Sequence, residues 1–263
     1  MSSEVTRHKS GSQWRNFYGR FKGKSLSAKQ SETLRDEFAK YSIKNISWEE
    51  NPKRKPINLT KLFAKKNIWL EIGFGGGEHL MHQAKLNPDI GIIGCEPYIN
   101  GLAMLLRKLS DHPCNNVRLY DGDARNIFDV LPKSSIEKVF LLYPDPWPKK
   151  KHHRRRFVTQ EFLRPLHNSM KAGSILRIAT DIEDYVRQTL QEAPKAGFRW
   201  IAKDASDWRS PWSDWISDEN KTVHYQIILV CIYLKYTFLG VVADARSNIL
   251  SDKCQIMWNS SLF

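Results

Sequence analysis

The residues best suited to chemistry lie in one stretch, residues 139–156, where an acid, an aromatic ring and a cationic run follow a short apolar segment. Asp145 and Trp147 alternate with prolines at 144, 146 and 148, which exclude helix and sheet because proline lacks an N–H donor and restricts the residue before it. Eight basic or histidine residues come next, at 149–156. A carboxylate, a ring and cations on one stiff loop favour a site for a nucleobase and its phosphates.

Simpler explanations exist for each part of this stretch. Asp145 could form an Asx turn before its proline, and Trp147 could serve packing alone. A run of charge is usually solvated, but this one adjoins the loop, so Arg154, Arg155 and Arg156 are predicted to contact an RNA backbone.

A glycine-rich loop with an acid on each side is the second candidate site. Gly73, Gly75 and Gly77 lie between Glu71 and Glu78, in a pattern that lets a nucleotide-like cofactor approach the backbone. The loop has neither the small residue that a dinucleotide fingerprint needs three positions after its second glycine nor the GK[ST] ending of a P-loop. Flanking acids suit a cofactor with a positive charge and no phosphate, such as S-adenosylmethionine. The alternative is a turn selected only for packing.

Two further acids follow the next two predicted strands. Glu96 ends the second strand at about the usual distance past the loop (~20 residues), where a carboxylate accepts hydrogen bonds from both ribose hydroxyls. Asp123 follows the third strand, within reach of an adenine edge. Any one of these acids alone would more often be a helix N-cap. Their positions at successive strand ends favour one shared cofactor crevice.

Strands that alternate with helices must hold these residues in place. The apolar pattern predicts strands at 68–72, 90–95, 117–120, 139–143 and 174–180, and helices at 31–44, 78–84, 99–109, 124–130, 159–169 and 183–193. This alternation predicts an α/β fold with a Rossmann-like, doubly wound and mostly parallel sheet. In such sheets ligands bind beyond the carboxyl ends of the strands.

The positive charge of the chain is unevenly distributed. The 263 residues carry a formal net charge of +13, and residues 1–66 hold 16 Lys and Arg against 6 Asp and Glu, whereas residues 67–221 hold 22 against 20. Aromatic residues, among them Trp14, Tyr18 and Phe21, interleave with the basic ones near the N-terminus, as in an arm that orders on RNA. A polyanionic partner is favoured, with a solvated tail as the alternative.

Cysteine usage and hydropathy exclude several other classes. The four cysteines have neither metal-ligand spacing nor a disulfide framework. No apolar segment of a signal peptide is visible, and the longest apolar run, residues 227–234, is too short to span a bilayer. We therefore expect a cytoplasmic protein with no bound metal and no membrane partner.

Taken together, these motifs resemble those of bacterial tRNA (guanine-N7)-methyltransferases over roughly residues 14–215. The combination of PDPW with a following basic run is highly specific, whereas the glycine loop is shared by many methyltransferases. The matching segments are WRNFYGR at 14–20, LEIGFGGG at 70–77, GCEP at 94–97, GDA at 122–124, YPDPWPKK at 143–150, RRRF at 154–157 and ATD at 179–181.

The resemblance implies a class I methyltransferase fold and transfer of a methyl group from S-adenosylmethionine to N7 of a guanosine in the tRNA variable loop. By this correspondence Asp145 is the catalytic candidate, and Lys149 and Asp181 contact the substrate. The corresponding cofactor-binding residues are Glu71, Gly73, Gly75, Glu96, Asp123 and Asp145. The implied organisation is a basic, partly disordered arm at 1–45, a methyltransferase domain at 46–221 and an atypical segment at 222–263.

The C-terminal segment departs from the family pattern. A Thr-x-aromatic-Glu motif is expected after residue 215, and Thr222 and Tyr225 are the nearest remnants, at the wrong spacing. One alternative is therefore an RNA-binding protein whose methyltransferase site is impaired. Another is a methyltransferase that acts on a different RNA or on a small molecule.

Overall fold

A six-stranded sheet forms the centre of the protein, for which a computed structural model describes residues 17–65, 67–201 and 232–235. The strand order is β3-β2-β1-β4-β5-β6, with the first five strands parallel and β6 antiparallel to β5. The strands are β1 (Ile68–Ile72), β2 (Gly91–Cys95), β3 (Val117–Tyr120), β4 (Ile136–Leu142), β5 (Met170–Ala179) and β6 (Ile232–Lys235). The sheet is thus the Rossmann-like, doubly wound one that the sequence predicts.

Helices cover both faces of the sheet, which explains why β1 and β2 are buried at every position. The helices are α1 (Ala28–Tyr41), α2 (Leu59–Phe63), α3 (Glu78–Leu86), α4 (Ile99–Asp111), α5 (Ala124–Phe128), α6 (Gln160–Ser169) and α7 (Glu183–Lys195), with a 3₁₀ helix at Lys150–Arg155. One apolar core lies beneath α5, α6 and α7, and the other beneath α3 and α4.

The strand order reverses between β1 and β4. From β1 the chain builds outward to β2 and β3, and it then returns to place β4 on the other side of β1. Loops that leave β1 and β4 at their carboxyl ends therefore diverge and open a crevice between them. The glycine-rich loop follows β1, and the loop of Asp145 follows β4.

The N-terminal region packs onto the sheet through α1. Ser27 and Gln30 form a reciprocal capping box that begins this helix. Tyr41, Ile43 and Ile46, on both sides of the predicted boundary at residue 45, are buried, and the Ile43 N–H donates to Leu119 O of β3 at 2.9 Å.

All five predicted strands and all six predicted helices are present, with ends that differ by a few residues. The largest differences are at α1, which begins and ends three residues earlier than predicted, and at β4 and β5, which begin three and four residues earlier. Register irregularities near the starts of these two strands continue their pairing beyond the apolar runs. The apolar pattern did not indicate the five-residue α2, the 3₁₀ turn within the basic run or β6. Within the described part of the chain, no helix is long and apolar enough to cross a membrane. The predictions for Trp14, Thr222 and Tyr225 lie outside the described residues.

Candidate functional site

A cavity of about 510 Å³ opens at the carboxyl edge of the sheet, where the strand order reverses. Its walls come from the glycine loop, the ends of β1, β2 and β4, the start of α5, the loop of Asp145 and the N-terminal arm. Five of the predicted cofactor residues line it, namely Gly73, Gly75, Glu96, Asp123 and Asp145.

The glycine loop presents bare backbone to this cavity. Gly73 and Gly75 have φ angles of +73° and +54°, and a Cβ atom built on either would meet no atom within 4 Å. Both positions need the left-handed conformation that glycine adopts without steric cost, and both leave the adjacent space open. The loop is held from behind by Lys108 of α4, whose Nζ donates to Gly76 O at 2.6 Å.

Glu96 connects the end of β2 to this loop. Its Oε2 accepts from Gly75 N at 2.7 Å and its Oε1 from Tyr98 N at 2.9 Å. Burial raises the pKa of Glu96 above its ordinary value, against the opposing effect of the two backbone hydrogen bonds, and the negative charge of Asp145 raises it further. Each oxygen retains a second lone pair, so a buried, fixed acceptor faces the cavity.

Asp123 is both a helix cap and part of the cavity wall. Its Oδ1 accepts from Arg125 N at 2.9 Å as the N-cap of α5, and its Oδ2 accepts from Arg125 Nε at 2.7 Å and from the terminal guanidinium nitrogen. The guanidinium in turn lies over the Phe162 ring, 4.6 Å from its centroid. Asp123 therefore caps α5 and lines the cavity at the same time, so its two expected roles do not exclude each other.

Asp145 stands on a loop with unusual backbone geometry. Tyr143 and Trp147, two residues before and two after it, have φ angles of +49° and +42°. Non-glycine residues in this region cost about 1–3 kcal/mol each and cluster at functional sites. The Asp145 side chain is exposed toward the cavity mouth, and no hydrogen bond or ion pair within the described part of the chain engages its carboxylate.

The N-terminal arm closes one side of the cavity, which the sequence did not predict. Phe17, Tyr18, Gly19 and Arg20 belong to the lining. The Arg155 guanidinium lies over both Tyr18 and Trp147, 4.6 and 4.9 Å from the two ring centroids, and thereby joins the arm to the loop of Asp145. The interleaved aromatic and basic residues near the N-terminus predict a contact surface. They do not indicate that part of this surface packs against the Asp145 loop of the same chain.

Three of the predicted cofactor-binding and substrate-contacting residues lie outside the cavity wall. Glu71 is 2% exposed, and its Oε2 lies 2.7 Å from Nδ1 of His79 on α3. Lys149 and Asp181 are exposed on the loops that follow β4 and β5. The structure therefore does not bring Glu71 to the cavity surface, and Lys149 and Asp181 are solvent-exposed outside the cavity lining.

The prediction that Arg156 contacts RNA is wrong, because its side chain is fully buried. Its guanidinium forms an ion pair with Asp184 of α7 at 2.8 Å and lies over the ring of Tyr185, 5.2 Å from the centroid. Arg154 is exposed and Arg155 is half-buried in its aromatic stack. Three adjacent arginines thus have three different environments, and only the first two remain candidates for an RNA surface.

Comparison with known proteins identifies relatives along most of the chain. Residues 65–223 match the model of a family described as "Putative methyltransferase". The chain is 57% identical over 227 residues to the tRNA (guanine-N(7)-)-methyltransferase of Ruegeria sp. (strain TM1040), covering 83% of this chain and 89% of that protein. It is 61% identical over 203 residues to the protein of the same name from Jannaschia sp. (strain CCS1), covering 77% and 86%.

A third relative with that name, from Roseobacter denitrificans, is 60% identical over 219 residues, covering 80% of this chain and 94% of that protein. Among solved structures, the 16S rRNA methyltransferase KamB aligns with a TM-score of 0.48 at 12% identity, covering 73% of this chain and 94% of that chain. A likeness that distant carries no argument about the site.

Proposed function

Because the chain belongs to the family of tRNA (guanine-N7)-methyltransferases, we propose that it transfers the methyl group of S-adenosylmethionine to N7 of a guanosine in the tRNA variable loop. The observation that carries this proposal is the convergence of Glu96, Asp123 and Asp145 on one cavity, beside a glycine loop with open space above it. We further propose that the enzyme acts in the cytoplasm, where tRNA is the polyanionic partner that the basic arm and basic run require.

The residues of the cavity fit S-adenosylmethionine in shape and charge. A ligand can lie directly against the backbone of Gly73 and Gly75, because neither position carries a Cβ. Glu96 offers fixed carboxylate oxygens to hydroxyl donors, and Asp123 lies at the end of the neighbouring strand. The bound cofactor supplies an electrophilic methyl group on a positively charged sulfur, which an acidic cavity stabilises better than a phosphate cradle would.

The protein contributes mainly alignment and exclusion of water. Guanine N7 already carries a lone pair, so no general base has to generate the nucleophile. The rate enhancement then comes from holding the purine in line with the methyl group and from desolvating the pair. The arm residues Phe17 and Tyr18 cover one side of the cavity and serve the second task.

Asp145 is the residue best placed to hold the guanine. An ionised carboxylate accepts hydrogen bonds and donates none, and the N1–H and N2–H groups of guanine are adjacent donors. The Asp145 carboxylate is free of other partners within the described residues, and Trp147 two residues later offers a ring edge at the same mouth. The loop thereby selects guanine by its donor edge.

The exposed face of the basic run suits the tRNA backbone. Lys149, Lys150, Lys151 and Arg154 are all exposed and follow the Asp145 loop without interruption. Contacts from such residues to phosphates position a substrate and make its affinity depend on salt. We assign Lys149 and Asp181 to the rim that receives the substrate, and Arg154 and Arg155 to the phosphate side.

The decisive experiment incubates the protein with methyl-labelled S-adenosylmethionine and unmodified tRNA, then maps N7-methylguanosine by chemical cleavage. Label at one variable-loop guanosine is expected. The Asp145→Asn variant should lose at least about 100-fold in rate while it still binds tRNA, because it keeps the size of the side chain but exchanges an acceptor oxygen for a donor. Methylation by this variant at the wild-type rate would refute the role of Asp145.

The same assay addresses the C-terminal segment. If wild-type protein binds tRNA but transfers no methyl group, the chain is an RNA-binding protein with an impaired site. Replacing the residues after 215 with a tail that contains the Thr-x-aromatic-Glu motif then tests whether that segment is responsible.

A further inference from the structure

The backbone around Asp145 holds two strained residues, and strain of this kind persists only where the surrounding structure enforces it. Tyr143 is held on the sheet side, because its N–H donates to Ala179 O of β5 at 2.7 Å. Asp145 and Trp147 lie beyond the reach of the sheet, so a second anchor is needed on their side. The buried Arg156 supplies it.

Arg156 contacts the loop through its backbone carbonyls. Its Nε donates to Pro146 O at 2.8 Å, and a terminal nitrogen approaches Trp147 O at 3.5 Å. These two carbonyls belong to the residues that directly follow Asp145. Proline cannot donate a hydrogen bond, so its carbonyl is the only backbone polar group by which Pro146 can be fixed.

The other side of the same guanidinium is fixed to α7. One terminal nitrogen donates to Gln188 Oε1 at 3.0 Å and to Asp184 O at 3.3 Å, and the other pairs with the Asp184 carboxylate at 2.8 Å. Gln188 is itself anchored, since its Nε2 donates to Val158 O at 2.8 Å. A planar fork with five donors can span both sides at once, which a lysine ammonium cannot.

We propose that Arg156 is a positioning residue for methyl transfer, whose buried guanidinium ties the Asp145 loop to α7 and thereby sets where the Asp145 carboxylate stands. This inference rests on the proposed function, because its readout is methyl transfer. It assigns Arg156 and Arg154, two residues apart in one basic run, to different tasks: the first orders the site and the second binds phosphate.

The test compares variants in tRNA affinity and in kcat measured at saturating tRNA and cofactor. Arg156→Lys should lower kcat about 10- to 100-fold, the range expected when the guanine that Asp145 holds is misplaced by about 1 Å. Its Kd for tRNA and the salt dependence of that Kd should match wild type. Arg154→Gln is the comparison variant, and it should raise Kd and reduce the salt slope by about one charge, neither of which is expected for Arg156→Lys.

Chemical rescue separates positioning from general stability. In Arg156→Ala, millimolar guanidinium ion should restore part of kcat, because the ion can occupy the vacated site between the loop and α7. Rates are taken per cofactor-binding site, counted by calorimetry, so that unfolded protein does not contribute. Asp184→Asn, at a half-exposed position on α7, is a milder second variant that should show a several-fold loss of kcat if Arg156→Ala does not fold.

Three results would overturn the proposal. One is an unchanged kcat per cofactor-binding site in both Arg156→Lys and Asp184→Asn. Another is a weakened, less salt-dependent tRNA affinity in a folded Arg156→Ala with kcat at saturating tRNA intact, which would return Arg156 to the RNA surface because that variant removes the charge. The third is no rescue of a folded Arg156→Ala by guanidinium. If the wild-type protein transfers no methyl group, the proposed function fails instead.

Discussion

Asn100 is expected to control how firmly the N-terminal arm closes the cavity. It lies in the first turn of α4, where its Oδ1 accepts from Gly23 N at 2.9 Å and its Nδ2 donates to Lys24 O at 2.7 Å. The neighbouring Ile99 N–H is in the first turn of α4 and has no acceptor within the helix. It donates to Phe21 O at 3.0 Å. Asn100→Ala removes two of these three hydrogen bonds and leaves the backbone one.

The size of the effect follows from these two bonds. A net contribution of about 0.5–1.5 kcal/mol for each gives about 1–3 kcal/mol, and both bonds are exposed, so the lower half of that range applies. At about 1.4 kcal/mol per factor of ten, the resulting change of about 1–2 kcal/mol should make the open form of the arm about 5- to 27-fold more populated. The overall stability should change little, because Asn100 touches the arm rather than the core.

Hydrogen exchange measured by mass spectrometry reports this opening directly. Peptides that cover residues 17–24 should exchange about 5- to 27-fold faster in Asn100→Ala, while peptides from β1 and β4 stay unchanged. Met104→Ala is the control, since Met104 lies one turn further along α4 with its side chain 45% exposed. Exchange at residues 17–24 that equals wild type in Asn100→Ala, or that rises equally in Met104→Ala, would refute this account of the arm.

Three further predictions concern other parts of the cavity. Arg155→Lys should also speed exchange at residues 17–20, because an ammonium cannot stack on two rings as a planar guanidinium does; equal exchange would show that the stack does not hold the arm. Burial raises the pKa of Glu96 in the folded state, so this carboxyl stabilises the fold below its ordinary pKa and loses that contribution as pH rises through the raised value. Glu96→Gln should abolish this part of the pH dependence, and urea midpoints between pH 4 and 7 measure it. Gly101→Ala should weaken cofactor binding in calorimetry, because the added Cβ would lie 2.4 Å from Gly75 O, even though alanine favours helices. An unaltered affinity would show that the position of the glycine loop does not depend on Gly101.

The parts of the fold that the sequence predicts are those determined by local pattern. The runs at β1, β2 and β3 are mostly apolar and each is followed by glycine or an acid, so their position and parallel arrangement follow from composition and alternation. For the basic run, the sequence predicts the positive charge but not the environment of each side chain. A sequence of eight cationic and histidine residues does not reveal that its last arginine turns inward, because that outcome depends on Asp184 and Gln188, which lie about 30 positions further along the chain.

The same limit applies to the acids of the site. Glu96 and Asp123 reach the cavity because strand ends in a parallel sheet meet at one edge, which the strand pattern determines. Glu71 matches the motif equally well, yet it lies inside β1 rather than at its end, and its carboxylate is turned to His79 on α3. A motif gives the residue type and its approximate position in the fold. The direction in which the side chain points depends on a packing partner that the motif does not contain.

Trp147 links two events that the sequence treats as separate, namely closure of the arm and placement of Asp145. Its backbone carbonyl lies near the Arg156 guanidinium, while its ring faces Arg155 and makes an edge contact with Tyr18 at 6.3 Å. Movement of the arm away from the cavity must therefore break the stack on a residue that also belongs to the strained loop. An RNA that draws the arm toward itself would act on the Asp145 loop through Trp147. Substrate binding and the conformation of this loop are therefore coupled through direct contacts between side chains. Among the described residues, Arg155 and Tyr18 join Trp147 to the arm, so Arg155→Lys should loosen residues 17–20 without reducing the anchor that Arg156 provides.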